Sequence, residues 1–211
     1  MNKLLEIYDI LLDHFGPQGW WPGDSALEIM VGAVLTQNTN WENVSRAINN
    51  LKRDDLLTFE KLHGLPVGIL AEKIRPAGYF NIKAVRLKNL LDFVNREFNG
   101  SLTEMFAVDR HALREMVLSV KGIGPETADS ILLYAGNKSV FVIDAYTHRI
   151  FARHNLIAEE DGYYEIQEYF TLSLPEDVQL FNEYHALIVR LGKEFCKKSR
   201  PLCNGCPLER Y

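Results

Sequence analysis

No apolar run of about 18 residues occurs in this sequence, so no stretch reads as a membrane-spanning helix. Positive charge is not in excess either. Lys and Arg number 23 against 28 Asp and Glu, for a net charge of −5. A chain of that sign does not coat nucleic acid through bulk charge, although a local site for a few phosphates remains open. Cysteine is scarce: there are three, Cys196, Cys203 and Cys206, all within the last 16 residues. That crowding is unlike the disulfide framework of a secreted domain and points to a metal site. No internal repeat, low-complexity segment or flexible linker interrupts the chain. The opening residues, MNKLLEIYDILLDHFG, carry acids inside their apolar pattern and read as an amphipathic helix, not a signal peptide. The expectation is a cytoplasmic protein, and nothing in the sequence suggests an oligomer, so a monomer.

What is present is an ordinary globular composition, 47% hydrophobic and 24% charged over 211 residues, enough for one large domain or two small ones. The pattern is helical nearly throughout. Leu27, Met30, Val31, Val34 and Leu35 form one amphipathic stripe behind a cap at Asp24 or Ser25. Helices follow near 40–53, 58–63, 66–74 and 81–98, with a break at Arg75-Pro76-Ala77-Gly78. Asp109 can cap a helix ending near Val120, and Pro125 can open the next, whose stripe is Ala128, Ile131, Leu132 and Ala135. The β-like run Val140-Phe141-Val142-Ile143 is too short and isolated for a sheet and reads as a buried connector. Helices resume near Ala145, Gly162 and Pro175. The fold class is all-α, with about ten helices. Basic residues cluster at Arg75, Lys83, Arg86 and Lys88 and again at Lys193, Lys197, Lys198 and Arg200, either as solvated helix faces or facing phosphates.

The segment VKGIGPETADSILL, residues 120–133, places Gly122 and Gly124 between two helices. Glycines allow φ > 0 and close approach of another backbone, and a helix N-terminus offers unpaired N–H groups. The hairpin is therefore either a backbone anion site suited to a phosphate or a tight helix–helix turn packed inside the protein. Asp144 follows four apolar residues. It is an N-cap, a carboxylate held in a site, or both.

Gly122-x-Gly124, then Thr127-Ala128, then Val142-Ile143-Asp144 resembles the helix–hairpin–helix–Gly/Pro/Asp superfamily of DNA glycosylases. Val34-Leu35-Thr36-Gln37-Asn38-Thr39 is similar to its base-stack-inserting segment, and Cys196-x6-Cys203-x2-Cys206 to the iron–sulfur loop of endonuclease III. The resemblance implies two helical lobes flanking a DNA cleft. One is a six-helix barrel over residues 24–138 with its helix–hairpin–helix at about 110–136. The other joins residues 1–23 to 139–211 and ends in a cysteine loop, 196–211. It also implies double-stranded DNA with a damaged base as partner, a base flipped out of the duplex, Gln37 filling the vacancy, and Lys121, Gly122, Ile123 and Gly124 at the DNA, with a monovalent cation at the hairpin. Gln37 read without the family is a helix-end amide bonding to backbone.

One departure bears on the reaction. Bifunctional members carry a Schiff-base lysine where this chain has Glu126, two residues after Gly124. A carboxylate forms no Schiff base, so the expected enzyme removes a base without cutting the strand. Trp20, Trp21 and Trp41 are the chain's three tryptophans and suit a cationic alkylated purine such as 3-methyladenine, or else simple packing. With Arg75-Pro76-Ala77-Gly78-Tyr79 and the hairpin they look most like endonuclease-III-type 3-methyladenine DNA glycosylases. Asp144 is the expected catalytic carboxylate. Glu126 and Asp129 are expected at the surface, and His148 and His185 receive no chemistry. Rival readings are excision of uracil, thymine or adenine, and a damage-binding module without catalysis.

The resemblance implies a [4Fe–4S] cluster on Cys196, Cys203 and Cys206, with zinc or no metal as alternatives. The family's fourth cysteine would fall at position 212, and the expectation is that the given sequence stops one residue short of it.

Overall fold

The computed structural model describes residues 2–211; Met1, which falls in the expected second lobe, lies outside them. Among the described residues there are twelve α-helices and no strand. They are α1 Lys3–Phe15, α2 Ala26–Leu35, α3 Trp41–Arg53, α4 Phe59–Gly64, α5 Val67–Lys73, α6 Phe80–Phe98, α7 Leu102–Ala107, α8 Arg110–Leu118, α9 Pro125–Ser130, α10 Ala145–Arg153, α11 Tyr163–Ser173 and α12 Val178–Glu194. A 3-10 turn, Arg75–Ala77, leads into α6, and a π-helical segment, Ile131–Ala135, continues α9. The count exceeds the ten or so expected. One unforeseen helix is α7, whose six residues are too few to show a period. The chain divides into two compact units, Gly23–Lys138 and the residues up to Pro22 together with Ser139–Tyr211.

In the Gly23–Lys138 unit, α2 begins where Ser25 Oγ accepts the Glu28 N–H at 3.2 Å and the Glu28 carboxylate accepts the Asp24 N–H at 3.0 Å. The expected single apolar stripe of α2 is corrected here. Gly32 and Ala33 lie outside the stripe and are buried as well, because α3, α6, α9 and the π segment surround the helix. The expected continuous α-helix after Pro125 is likewise corrected. Gly136 N–H donates to Ile131 O at 3.0 Å, a wider turn that buries Leu133 and Tyr134 beside Ile131 and Leu132.

In the other unit, α12 packs against α1 and α10. Phe141, Phe151, Phe170, Phe181 and Tyr184 fill the core, with Phe141 stacked 4.4 Å from Phe170. Tyr184 Oη donates to Leu4 O at 2.7 Å. The connector Val140-Phe141-Val142-Ile143 is buried without regular structure. Side chains supply its backbone partners: Gln167 Nε2 donates to Phe141 O at 2.7 Å, and Tyr163 Oη accepts from Ile143 N–H at 3.4 Å. The connector thereby delivers Asp144 to the start of α10.

Candidate functional site

The hairpin joins α8 to α9. Asp109 Oδ1 caps α8 through the N–H groups of His111 and Ala112, at 2.9 and 3.2 Å. Ile123 is 6% exposed and anchors the turn in the core, while Lys121, Gly122 and Gly124 are exposed. Gly122 has φ +96° and needs glycine; Gly124 has φ −96°, so only the first uses the freedom that glycine allows. Ile123 N–H donates to Val120 O at 3.0 Å, so it is already engaged within the turn. Among the described residues, the N–H groups of Gly122 and Gly124 have no partner.

Gln37 lies just past the end of α2. Its Nε2 donates to Thr127 Oγ1 at 2.9 Å and to Gly122 O at 3.3 Å, while Arg86 Nη1 donates to its Oε1. Arg86 carried no role in the sequence beyond its place in a basic cluster. That cluster is not one face: Lys83 is 1% exposed, with Nζ donating to Leu35 O and Ala77 O at 2.7 Å each, whereas Arg75 is exposed. The second cluster, Lys193, Lys197, Lys198 and Arg200, is exposed throughout. Asp129 is also corrected. It is fully buried and held by Arg114 through Nε and Nη2 at 2.7 and 3.0 Å, while Glu126 is exposed in the first turn of α9.

Asp144 is the N-cap of α10. Oδ1 accepts from Thr147 N–H at 2.7 Å and from Thr147 Oγ1 at 2.9 Å. Oδ2 lies 3.6 Å from His185 Nε2, an ion-pair distance longer than a hydrogen bond. The side chain is 10% exposed. Burial pushes the carboxyl pKa up, but the His185 and Thr147 contacts outweigh it and hold it below the ordinary 3.8. The N-cap reading of Asp144 holds through one oxygen, while the other oxygen faces a histidine. Thr147 was legible as the third residue of a capped helix. His185 carried no signal, because only the folding of α12 brings it beside Asp144.

Trp20 and Trp21 touch edge to face with ring centroids 5.6 Å apart, and Lys193 Nζ sits 5.8 Å from the Trp20 ring. Trp41 opens α3 in the other unit, so no single unit gathers all three tryptophans. At the C-terminus Cys196, Cys203 and Cys206 line a recess of about 130 Å³ with Phe195, Leu202 and Leu208. Burial pushes the Cys206 thiol pKa up, and the neighbouring Cys196 and Cys203 add to the shift. Arg153, His154 and Glu209 line the recess too, and Arg153 Nη1 donates to Cys196 Sγ at 3.2 Å; soft sulfur donors are the kind that suit an iron–sulfur cluster or zinc. Among the described residues no three His, Cys, Asp or Glu side chains are gathered closely enough to hold a metal ion as they stand. Arg149 and Arg153, one turn apart on α10, carried no signal in the sequence. Arg149 Nε donates to Cys196 O at 2.8 Å, and Arg153 donates to Lys197 O and Lys198 O at 2.8 and 2.9 Å.

Residues 31–176 match the family described as HhH-GPD superfamily base excision DNA repair protein. A protein of Methanocaldococcus jannaschii, named as a candidate DNA repair glycosylase, is 49% identical over all of this chain and 96% of its own length. Endonuclease III of Sulfolobus acidocaldarius is 27% identical over 86% of this chain and 79% of its own. Among solved structures, the 3-methyladenine DNA glycosylase of H. pylori bound to 1,N6-ethenoadenine superposes with a TM-score of 0.79 at 31% identity, covering 90% of this chain and 97% of that one. A non-covalent endonuclease III–DNA complex superposes with a TM-score of 0.84 at 20% identity, over 99% of this chain and 92% of that one, a likeness of fold.

Proposed function

The chain belongs to the HhH-GPD superfamily of base excision DNA repair proteins and is a DNA N-glycosylase of that family, and from this we propose that it hydrolyses the N-glycosidic bond of alkylated purines such as 3-methyladenine in duplex DNA, releases the free base and leaves the strand intact. Asp144 carries the reading. A buried carboxylate kept ionised by Thr147 and His185 is suited to stabilising the positive charge that builds on the sugar as the base leaves, and to orienting or deprotonating the attacking water. Phosphate binding alone gains nothing from such a group.

The target base leaves the stack at a cost of a few kcal/mol, and Gln37 fills its place. The N–H groups of Gly122 and Gly124 hold a phosphate without reading sequence. Glu126 stands where a Schiff-base lysine would, so sugar attack by that position is absent. Trp20 and Trp21 in one unit, and separately Trp41 in the other, are aromatic faces of the kind that attracts a cationic ring, and the likeness to the H. pylori enzyme supports the same substrate class. Cys196, Cys203 and Cys206 supply three of the thiolates of a [4Fe–4S] cluster, whose contribution is to brace the loop carrying Lys197, Lys198 and Arg200.

The test is excision on duplexes carrying 3-methyladenine, 7-methylguanine, uracil or a T·G mismatch, with and without alkali and with borohydride trapping, for the parent and for Asp144→Asn. We expect methylpurine release, breaks only after alkali, no trapped adduct, and an Asn variant that binds DNA without turnover. Asn keeps the helix cap, so the variant should fold. Breaks without alkali together with a trapped adduct would overturn the strand-intact reading. Undiminished turnover in Asp144→Asn would remove Asp144 from the mechanism.

A further inference from the structure

Three polar residues of α6, Lys83, Arg86 and Asn89, recur at every third position and so share one side of the helix. Each reaches a different turn of the same unit. Lys83 holds the carbonyls of Leu35, where α2 ends just before Gln37, and of Ala77, just before Gly78. Asn89 Nδ2 donates to Lys121 O at 2.9 Å, at the entry to the hairpin. Arg86, between them, serves both ends. Its guanidinium donates to Gln37 Oε1, and its stem lies against Gly122, where an added Cβ would stand 2.5 Å from Arg86 Cγ.

The orientation of the Gln37 amide follows. Arginine only donates, so it takes the oxygen, and the NH₂ group must turn the other way. There it meets Gly122 O and Thr127 Oγ1. We infer that Arg86 is a positioning residue that couples Gln37 to the hairpin, so that the side chain entering the base stack reaches the duplex in fixed register with the backbone that holds the phosphate. This rests on the roles proposed above for Gln37 and the hairpin. Arg86 then governs preference for a duplex with a base missing from the stack, not general affinity for DNA. A rival role, direct contact of Arg86 with a phosphate, differs in its salt dependence.

The experiment measures affinity by fluorescence anisotropy for an intact duplex and for one carrying a tetrahydrofuran abasic analogue, over a series of salt concentrations. The variants are Gln37→Ala, Arg86→Met, Arg86→Lys and the Gln37→Ala/Arg86→Met double. Methionine keeps an unbranched stem at Gly122 and removes the donors. Gln37→Ala and Arg86→Met should each reduce the preference for the abasic duplex by on the order of tenfold. The double should lose no more than Gln37→Ala alone. Arg86→Lys should recover part of the loss, and the salt slope should stay unchanged. Should Arg86→Met unfold more readily, the Lys variant carries the comparison. Additive losses, or an unaltered preference in Arg86→Met while Gln37→Ala is impaired, would overturn the coupling alone. A slope reduced by about one would reassign Arg86 to a phosphate and overturn it as well. No effect of Gln37→Ala would overturn the role of Gln37 first, and the coupling with it.

Discussion

Lys83 shows how much one side chain can be asked to hold. Its ammonium is 1% exposed and meets two carbonyls at helix and turn ends, while Arg86 stands nearby. Burial, with the Arg86 charge added, lowers its pKa from 10.5 to about 8. Below about pH 8 the ammonium is present folded and unfolded, and its burial is a standing penalty. Between about pH 8 and 10.5 the unfolded chain keeps the proton and the folded chain releases it, so stability rises with pH across that window. Lys83→Met should abolish that rise and, by stripping two buried carbonyls of their donor, cost about 2 kcal/mol at neutral pH. Urea unfolding from pH 7 to 10.5 reads both; the same pH rise in the variant would refute the assignment. Asp144 gives a slope of the same sign, but there it is the charged form that the fold favours. Its lowered pKa contributes stability above the ordinary carboxylate value, which is lost as pH falls through the folded one.

At the scale of elements, the hairpin makes its two glycines unequal. Gly122 sits at φ +96° over the Arg86 stem, and Gly124 sits at φ −96° with open space where a Cβ would go. Gly122→Ala should therefore destabilise by roughly 1–3 kcal/mol, whereas Gly124→Ala should stay within about 0.5 kcal/mol of the parent. Both should weaken DNA binding, the first through a displaced turn and the second through a methyl group placed beside a phosphate-holding N–H. Thermal melts paired with duplex binding separate the two effects. Equal melting temperatures for the two variants would contradict the difference in φ. In α2 the same element-level logic explains Gly32 and Ala33: small residues let neighbouring helices close on every side.

At the scale of the whole molecule, the two ends of the chain share one unit, and the residues that follow Pro22 and precede Ser139 in sequence form the other. Tyr211 Oη lies 3.1 Å from Glu6 Oε2 and 3.3 Å from Lys3 O, and α1 packs on α12. Arg149 and Arg153 fasten the cysteine loop to α10, the helix that Asp144 caps. Cys203 is exposed, so Cys203→Ser alone should cost a cluster-free chain no more than about 0.5 kcal/mol. With the proposed cluster bound, the same change should remove iron and acid-labile sulfide and lower the melting temperature. Identical iron content and melting in the two proteins would refute the cluster. No described helix is long and apolar enough to cross a membrane.

Local chemistry was legible from the sequence alone. Helix periods, the caps at Ser25, Asp109 and Asp144, the turn at Gly122 and the buried connector before Asp144 all depend on residues a few positions apart, and all are present. Glu126 in place of a lysine is a fact of sequence that no folding alters. The partners were decided by tertiary structure. His185 meets Asp144, Arg114 takes Asp129 out of solvent, and Arg86 joins Gln37 to Gly122 across long stretches of chain. A linear pattern records which face of a helix is apolar. It does not record which other helix will cover that face, and it is that covering which sets burial, ionisation and the orientation of each polar group.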